Sequence, residues 1–297
     1  AISYMTMFVI TPWLVMSDQA QLWNRLVSEH YVRQIRTLTK QISTTYQVRR
    51  PGLFEMANNA GQLNIVFTSR YFQPTGNAFN ETYTFVGSSI LSRADAPAFP
   101  YEALDKDRPL IYISLGTLYN ERQDFYRCCF AAFAASRYQV VLSVGHKTPI
   151  SSLGAIPPNF IVQEYVPQLD ILQRAALFIS HGGMNSVSEA LYYGVPLVVI
   201  PQSADQPWVA KRVVRLGAGK MIRRSHVSAS RLRHVAEEIL THATYAQMSE
   251  RIGETLRQAG GPSRAADAIQ QLLHTVAHYA PPVPNSWMET LVYRLSY

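Results

Sequence analysis

Residues 178–206 have the sequence FISHGGMNSVSEALYYGVPLVVIPQSADQ, in which a short apolar run, a glycine turn and a helical pattern follow one another. The apolar run ends at Ser180, and a pair of glycines then permits the backbone conformations that a tight turn into a helix requires. A helix is predicted over 185–193, and the apolar run Leu197–Pro201 predicts the next strand. Strand, turn, helix and strand in this order indicate an α/β fold with a parallel sheet.

The same alternation of strands and helices continues on both sides of this stretch. The predicted elements are strands at 110–114, 139–144, 160–163, 177–180 and 197–201, and helices at 122–135, 170–175, 185–193, 207–216, 229–240, 245–257 and 264–274. Parallel strands joined through helices imply right-handed crossovers and a sheet that is covered on both faces. We therefore predict a Rossmann-like, doubly wound parallel sheet, which binds ligands beyond the carboxyl ends of its strands.

The first 92 residues are organised less regularly. The elements predicted there are strands at 1–7, 63–68 and 82–86 and a helix at 21–46. Residues 93–108 combine prolines and charges with little periodicity, which is typical of a linker. The predicted division of the chain is a partial N-terminal α/β domain (1–92), this linker (93–108), a C-terminal ligand-binding domain (109–275) and a tail (276–297) with a possible amphipathic helix at 286–295.

Composition excludes several classes of protein. Hydrophobic residues make up 47% of the 297 residues and charged residues 16%, which predicts a packed core rather than disorder. The net charge of +7 is scattered along the chain, so a nucleic-acid surface is not expected. No apolar run reaches the roughly 18–20 residues that stable membrane insertion needs. The two cysteines, Cys128 and Cys129, are adjacent and too few for a disulfide framework or a zinc site, which favours a cytoplasmic protein.

The turn that follows Ser180 is the candidate binding site. A helix that starts just after Gly183 directs free backbone N–H groups and the positive end of its dipole into the crevice, where they favour a diphosphate. His181 can add a hydrogen bond to a phosphate, and Glu189 is suited to accept hydrogen bonds from two vicinal ribose hydroxyls. The next strand delivers Asp205, followed by Gln206, to the same edge. This arrangement predicts a nucleotide site.

Purely structural interpretations exist for the same residues. Ser186 and Glu189 match the spacing of a capping box, and Asp205 could cap the helix that follows it. Tyr165 could be a core aromatic residue, and Thr117 an ordinary turn residue. The convergence of glycine, histidine, asparagine, serine and glutamate on the carboxyl end of one strand favours ligand binding over these alternatives.

Two stretches together, EYVPQLDIL at 164–172 and HGGMNSVSEALYYGVPLVVIPQSADQ at 181–206, resemble the donor signature of nucleotide-sugar-dependent glycosyltransferases of the GT-B fold. More closely, they resemble the bacterial macrolide-type UDP-glycosyltransferases, and the likeness extends over nearly the whole chain. The resemblance implies an inverting hexosyltransferase that moves a sugar, with glucose favoured, from a UDP-sugar to a small hydrophobic acceptor. A hydroxyl of a macrolide or flavonoid is the kind of acceptor implied.

The resemblance also implies a role for each matching residue. From the uracil to the sugar, the implied contacts are Tyr165 and Val166 with the base, Gln168 and Glu189 with the ribose, Thr117, His181, Gly183, Met184, Asn185 and Ser186 with the diphosphate, and Asp205 and Gln206 with the sugar. Tyr165 stands where the family often has tryptophan, and it keeps an aromatic face of smaller area. No cofactor or metal is implied, because the helix dipole and His181 would neutralise the leaving diphosphate.

The general base implied by the resemblance is a histidine near the start of the N-terminal domain, oriented by an aspartate. No residue matches this pair, and the sequence enters the family pattern at Ala1, so we expect a fragment whose catalytic pair lies upstream. His30 has a polar helical context and is expected to be solvated or to cap a helix. Two hypotheses follow: an active glycosyltransferase, or a catalytically inactive fragment that binds a UDP-sugar.

The apolar opening of the chain is the only acceptor-side feature that the sequence offers. In the active form, its side chains would line part of the acceptor pocket, although core packing is expected for most of them. They are Met5, Met7, Phe8, Ile10 and Trp13. A UDP-sugar epimerase of similar architecture would need a pair of acidic groups in the cleft, and the sequence offers no convincing pair.

Overall fold

The computed structural model describes residues 2–10, 29–50, 58, 60–91, 97–118 and 120–279. Trp13, the first part of the helix predicted at 21–46, the start of the predicted linker (93–96) and the tail helix predicted at 286–295 lie outside the described residues. Among the described helices, none combines the length and the apolar character that crossing a bilayer requires.

The N-terminal part of the chain forms a three-stranded parallel sheet. Its strands are adjacent in chain order, with Ile2 opposite Leu63 in the first pair and Asn64 opposite Tyr83 in the second. They are β1 (Ile2–Met5), β2 (Leu63–Val66) and β3 (Tyr83–Phe85), and helix α1 (Glu29–Tyr46) lies between β1 and β2 in the sequence. This confirms the predicted strands, with each ending earlier than the apolar run does.

The larger sheet has six parallel strands. They are β4 (Leu110–Ser114), β5 (Gln139–Ser143), β6 (Phe160–Gln163), β7 (Ala175–Ser180), β8 (Leu197–Val199) and β9 (Gly219–Met221). Their order in the sheet is β6-β5-β4-β7-β8-β9, which is the doubly wound order with a reversal between β4 and β7. Ligands bind at such a reversal, because the loops after the two central strands diverge there and leave a crevice.

Helices cover both faces of the larger sheet. They are α2 (Gln123–Phe133), α3 (Gln168–Leu172), α4 (Met184–Tyr192), α5 (Gln206–Arg215), α6 (Ala229–Thr241) and α7 (Ala243–Gln258), followed by α8 (Gly261–Tyr279). Side chains of α2 and α6 pack in the apolar cluster on one face, and those of α3, α4, α5 and α7 pack on the other.

Strand β4 shows how the sequence divides between the two faces. Leu110 and Tyr112 point into one cluster, whereas Ile111 and Ile113 point into the other. All four are buried, so the strand is apolar on both sides, as a central parallel strand must be. The burial of each such side chain contributes about 1.5–3 kcal/mol to the free energy of unfolding.

Helix α8 returns to the smaller sheet. Ala265 packs with Leu63, Ile65 and Val86 in one apolar cluster, so the end of the described chain covers the beginning. The Gly261 N–H donates to the Val86 carbonyl at 2.7 Å where the helix starts. The two sheets are thus connected by packing as well as by the chain.

One predicted helix includes a residue that belongs to a strand, and one strand of the larger sheet was not predicted. The helix predicted at 170–175 ends at Leu172, and the assignment of Ala175 to it is wrong, because Ala175 pairs with Leu110 as the first residue of β7. Strand β9 was not predicted. Its sequence, Gly-Lys-Met, lacks both alternation and β-branched residues, and it becomes a strand through pairing with β8.

Candidate functional site

A cavity of about 550 Å³ lies at the carboxyl ends of β4, β5 and β7. Every predicted site residue except Gln206 lines it: Thr117, Tyr165, Val166, Gln168, His181, Gly183, Met184, Asn185, Ser186, Glu189 and Asp205. Met7 was expected on the acceptor side of the site, and the lining residues that the sequence did not predict are Thr6, Tyr112, Ser114, Gly116, Ser143 and Gly145. Thr6 and Met7 follow β1, so the cavity lies between the two sheets.

Helix α4 presents its first amides to this cavity. Its N-cap is Gly183, which has no side chain to cap the helix, and the Val187 N–H donates to the Gly183 carbonyl at 3.0 Å. The N–H groups of the first three residues, 184–186, therefore have no acceptor within the helix. The capping-box interpretation is wrong, because Ser186 is the third residue of the helix and not its cap.

His181 is enclosed by two glycines. A Cβ on Gly116 would come within 2.6 Å of the His181 ring, and one on Gly183 within 2.5 Å. Gly116 also has a φ of 75°, in the left-handed region that favours glycine. Both glycines are therefore needed for the ring to lie between the turns after β4 and β7.

The His181 imidazole is uncharged at neutral pH. Burial lowers its pKa to about 4, although a hydrogen bond with the Ser114 backbone opposes the shift. Its Nδ1 atom is buried and has no hydrogen-bond partner among the described residues. A buried polar atom without a hydrogen-bond partner is energetically costly.

Glu189 is held by a chain of hydrogen bonds on the opposite wall. Its side chain is only 6% exposed and accepts from the Gln168 Nε2 amide. The Gln168 Oε1 atom accepts in turn from the Tyr112 hydroxyl at 3.0 Å. Tyr112 stacks on Phe178 with the ring centroids 4.7 Å apart, which fixes the far end of the chain in the core. The only indication in the sequence that Tyr112 has a special role was its position as a single tyrosine in a largely aliphatic strand.

Tyr165 and Val166 form the wall at the end of β6. Tyr165 is 42% exposed, so its interpretation as a core residue is wrong. Its hydroxyl is hydrogen-bonded to Nδ1 of His146 at 2.8 Å. Val166 instead packs its side chain into the core, which leaves its backbone as the part that can face a ligand.

Thr117 lies at the exposed end of the β4 turn. The preceding carbonyl, that of Gly116, accepts from the Asn120 Nδ2 amide at 3.0 Å. Asn120 is fully buried and was not predicted as a site residue. It supports the turn from below and keeps Thr117 at the cavity wall.

Asp205 faces the cavity from the loop after β8. It occupies the N-cap position of α5, but its side chain makes no capping hydrogen bond. Burial raises the pKa of its carboxyl group. The preceding residue, Ala204, has a φ of 55°, a strained conformation for a residue with a Cβ, and this turn directs Asp205 inward.

Gln206 differs from its predicted placement. It does not line the cavity, because its Oε1 atom accepts from the N–H groups of Gln202 and Ser203 at 2.7 and 3.0 Å. These bonds close the loop that carries Asp205. The side chain thus supports the loop from within.

The apolar opening of the chain is divided between core and cavity. Met5 and Phe8 are buried in apolar clusters, as expected for most of this segment, and Met7 lines the cavity.

His30 lies in α1. Within the described ranges, no three His, Cys, Asp or Glu side chains are grouped so that they could hold a metal ion.

Comparison with known proteins finds one matching family and relatives that are named glycosyltransferases. The family described as "Erythromycin biosynthesis protein CIII-like, C-terminal domain" matches residues 130–272. The uncharacterized UDP-glucosyltransferase YojK of Bacillus subtilis is 43% identical over 82% of this chain and 59% of its own length. The uncharacterized UDP-glucosyltransferase YdhE of the same organism is 39% identical over 80% of this chain and 60% of its own length. The chain thus spans about three fifths of these relatives.

Solved structures extend the likeness. The glycotransferase of kitacinnamycin superposes with a TM-score of 0.75 at 30% identity, over 91% of this chain and 69% of its own. The calicheamicin glycosyltransferase CalG4 superposes with a TM-score of 0.77 at 26% identity, over 93% of this chain and 68% of its own. With a 30% identical relative covered over more than two thirds of its length, the chain belongs to the macrolide-type family of GT-B glycosyltransferases.

Proposed function

We propose that this chain binds UDP-glucose as the donor half of an inverting glycosyltransferase, whose acceptor is a hydroxyl of a small hydrophobic molecule. One observation carries the proposal: the uncapped start of α4, His181 and Glu189 all face a single cavity at the reversal between β4 and β7. The relatives named UDP-glucosyltransferases support the choice of donor.

The diphosphate would lie against the start of α4. The amides of residues 184–186 and the helix dipole favour negative charge there, and Thr117 closes the position from the β4 turn. As the bond to the sugar breaks, charge builds up on the leaving diphosphate, and donors already in place stabilise it. We propose that these donors stabilise the leaving diphosphate without a metal ion.

The uridine would occupy the wall formed by Tyr165, Gln168 and Glu189. An exposed aromatic face suits a pyrimidine ring, and a buried carboxylate suits two ribose hydroxyls. Asp205 lines the same cavity and would accept from hydroxyls of the glucose. The acceptor would approach from the side of Thr6 and Met7, where the smaller sheet reaches the cavity.

Calorimetric titration of the chain with UDP and with UDP-glucose, with and without EDTA, tests the donor assignment. We expect both to bind, with an affinity that EDTA does not change. Absence of binding by either nucleotide would contradict the proposal. Transfer of glucose to a flavonoid or a macrolide then separates an active enzyme from the alternative, a fragment that binds the donor without transferring it.

His181 makes donor binding dependent on pH. The pKa of its imidazole is about 4 in the free protein, and a diphosphate beside the ring favours the charged form and raises that pKa. Between the two values the complex binds more protons than the free protein, so affinity rises as pH falls. Titrations of UDP at pH 5.5 in buffers of different ionisation enthalpy should therefore show proton uptake that His181→Gln lacks.

Equal proton uptake by the two proteins would contradict this role of His181, because the titration of UDP itself is common to both.

The lowered pKa of His181 also makes the folding stability of the free protein depend on pH, in the opposite direction. In the unfolded chain the His181 imidazole takes up a proton as pH falls below 6.5, whereas in the folded protein it stays uncharged until about pH 4. The contribution of His181 to the free energy of unfolding therefore falls as pH drops from 6.5 toward 4.

A further inference from the structure

The loops that follow β5 and β6 run side by side past the ends of their strands. The Val144 N–H donates to the Gln163 carbonyl at 3.0 Å, and the Gly145 N–H donates to the Glu164 carbonyl at 2.8 Å. The ladder thus continues for two residues beyond β5. The next position in each loop is therefore fixed beside the other, and these positions are His146 and Tyr165.

The two side chains at these positions form a hydrogen-bonded pair. His146 Nδ1 lies 2.8 Å from the Tyr165 hydroxyl, the ring centroids are 6.4 Å apart, and the rings are tilted by only 22°. A hydroxyl–nitrogen bond between rings so separated joins them edge to edge, rather than face to face. The phenol and the imidazole consequently lie in nearly parallel planes, and the hydrogen bond fixes the orientation of the Tyr165 ring at the cavity wall.

The loop that carries His146 is itself anchored. The next residue, Lys147, donates from Nζ to the Leu118 carbonyl at 3.2 Å. One residue further, the buried Thr148 hydroxyl donates to the Asn120 carbonyl at 2.8 Å. His146 is therefore held from both sides and can restrain Tyr165.

A half-exposed tyrosine loses side-chain freedom when a base stacks on it, and that loss weakens binding. A hydrogen bond that holds the ring beforehand removes part of this cost. We propose that His146 is a positioning residue, which holds Tyr165 in the orientation that stacks on the nucleobase of the donor. This inference rests on the proposed function, because it assigns the base to the Tyr165 wall.

A double-mutant cycle tests the pair, with the Kd of UDP measured by calorimetry. His146→Ala and Tyr165→Phe should each weaken binding by about threefold to tenfold, the value of one hydrogen bond, and the double variant should lose no more than either single variant. His146→Asn should restore binding, because its Oδ1 atom can accept from the hydroxyl in place of Nδ1. His226→Ala, at an exposed histidine outside the cavity, is the matched control and should bind as the unaltered chain does.

One further arm separates positioning from a general defect. Binding of inorganic pyrophosphate, which needs only the α4 end of the cavity, should be the same in all variants.

Two results would each overturn the inference: additive losses in the cycle, or an equal loss of pyrophosphate binding. If UDP binds the unaltered chain and His146→Ala leaves the Kd unchanged, the inference alone fails. If UDP does not bind the unaltered chain, the proposed function fails, and the inference fails with it.

Discussion

Replacing Glu189 with alanine is expected to weaken UDP binding by about 1–3 kcal/mol, which is roughly fivefold to a hundredfold in Kd. Glu189 is 6% exposed and its carboxylate is oriented by Gln168, so under the proposed function it would already be in place to accept from both ribose hydroxyls. The variant removes these bonds and leaves the Gln168 Nε2 amide with only its 3.4 Å hydrogen bond to the Ser186 hydroxyl. Calorimetry of UDP with the two proteins measures the loss.

The ligand offers a second way to remove the same bonds. UDP lacking its 2′-hydroxyl should bind the unaltered chain more weakly than UDP does, and Glu189→Ala should no longer distinguish the two nucleotides. Glu237→Ala, at an exposed glutamate of α6, is the control for the loss of a negative charge. If Glu189→Ala binds UDP normally, the carboxylate serves only the structure of α4.

Replacing Asp205 with alanine should affect UDP-glucose far more than UDP. Bonds from sugar hydroxyls to a carboxylate contribute about 1.5–3 kcal/mol each, so we expect roughly a tenfold to hundredfold weaker Kd for UDP-glucose. UDP lacks the glucose that would contact this side chain, and its Kd should stay within about twofold. The ratio of the two Kd values is the quantity to measure.

Asp205 stands at the start of α5, so its removal could also disturb the loop. Asp205→Asn keeps the shape of the side chain and should bind UDP as the unaltered chain does, while losing part of its preference for UDP-glucose. Asp267→Ala, on an exposed turn of α8, controls for charge. Equal losses for UDP and UDP-glucose would show a defect of the fold and would contradict sugar recognition by Asp205.

The sequence could group the residues at the centre of this cavity because they are close together in the chain. The glycine pair before α4 is followed within one helix by Glu189, and local rules of turn and helix formation place them at one strand end. The six-stranded sheet is equally predictable wherever strands are apolar and helices are periodic. Only β9, which depends on its neighbour for its conformation, is missed.

The parts that could not be predicted depend on tertiary register. His146 and Tyr165 are 19 positions apart and meet because two loops continue a ladder, which composition does not reveal. Tyr112 is buried and looks like any core aromatic until its hydroxyl is seen to reach Gln168. Gln206 is a residue that the sequence placed in the site and the structure does not. Its position beside Asp205 suggested that its side chain would also face the cavity, but its Oε1 atom accepts a hydrogen bond from the Gln202 N–H within the loop.

Helix α8 sets the order in which this protein can complete its fold during synthesis. The hydroxyls of Ser69, after β2, and Thr255, near the end of α7, lie 2.8 Å apart, although 186 residues separate them in the chain. A ribosome adds that length in roughly 10–40 s, and α8 emerges later still. Until α8 is synthesised, Leu63 and Ile65 lack their contact with Ala265, and all strands of the larger sheet are synthesised before that contact can form.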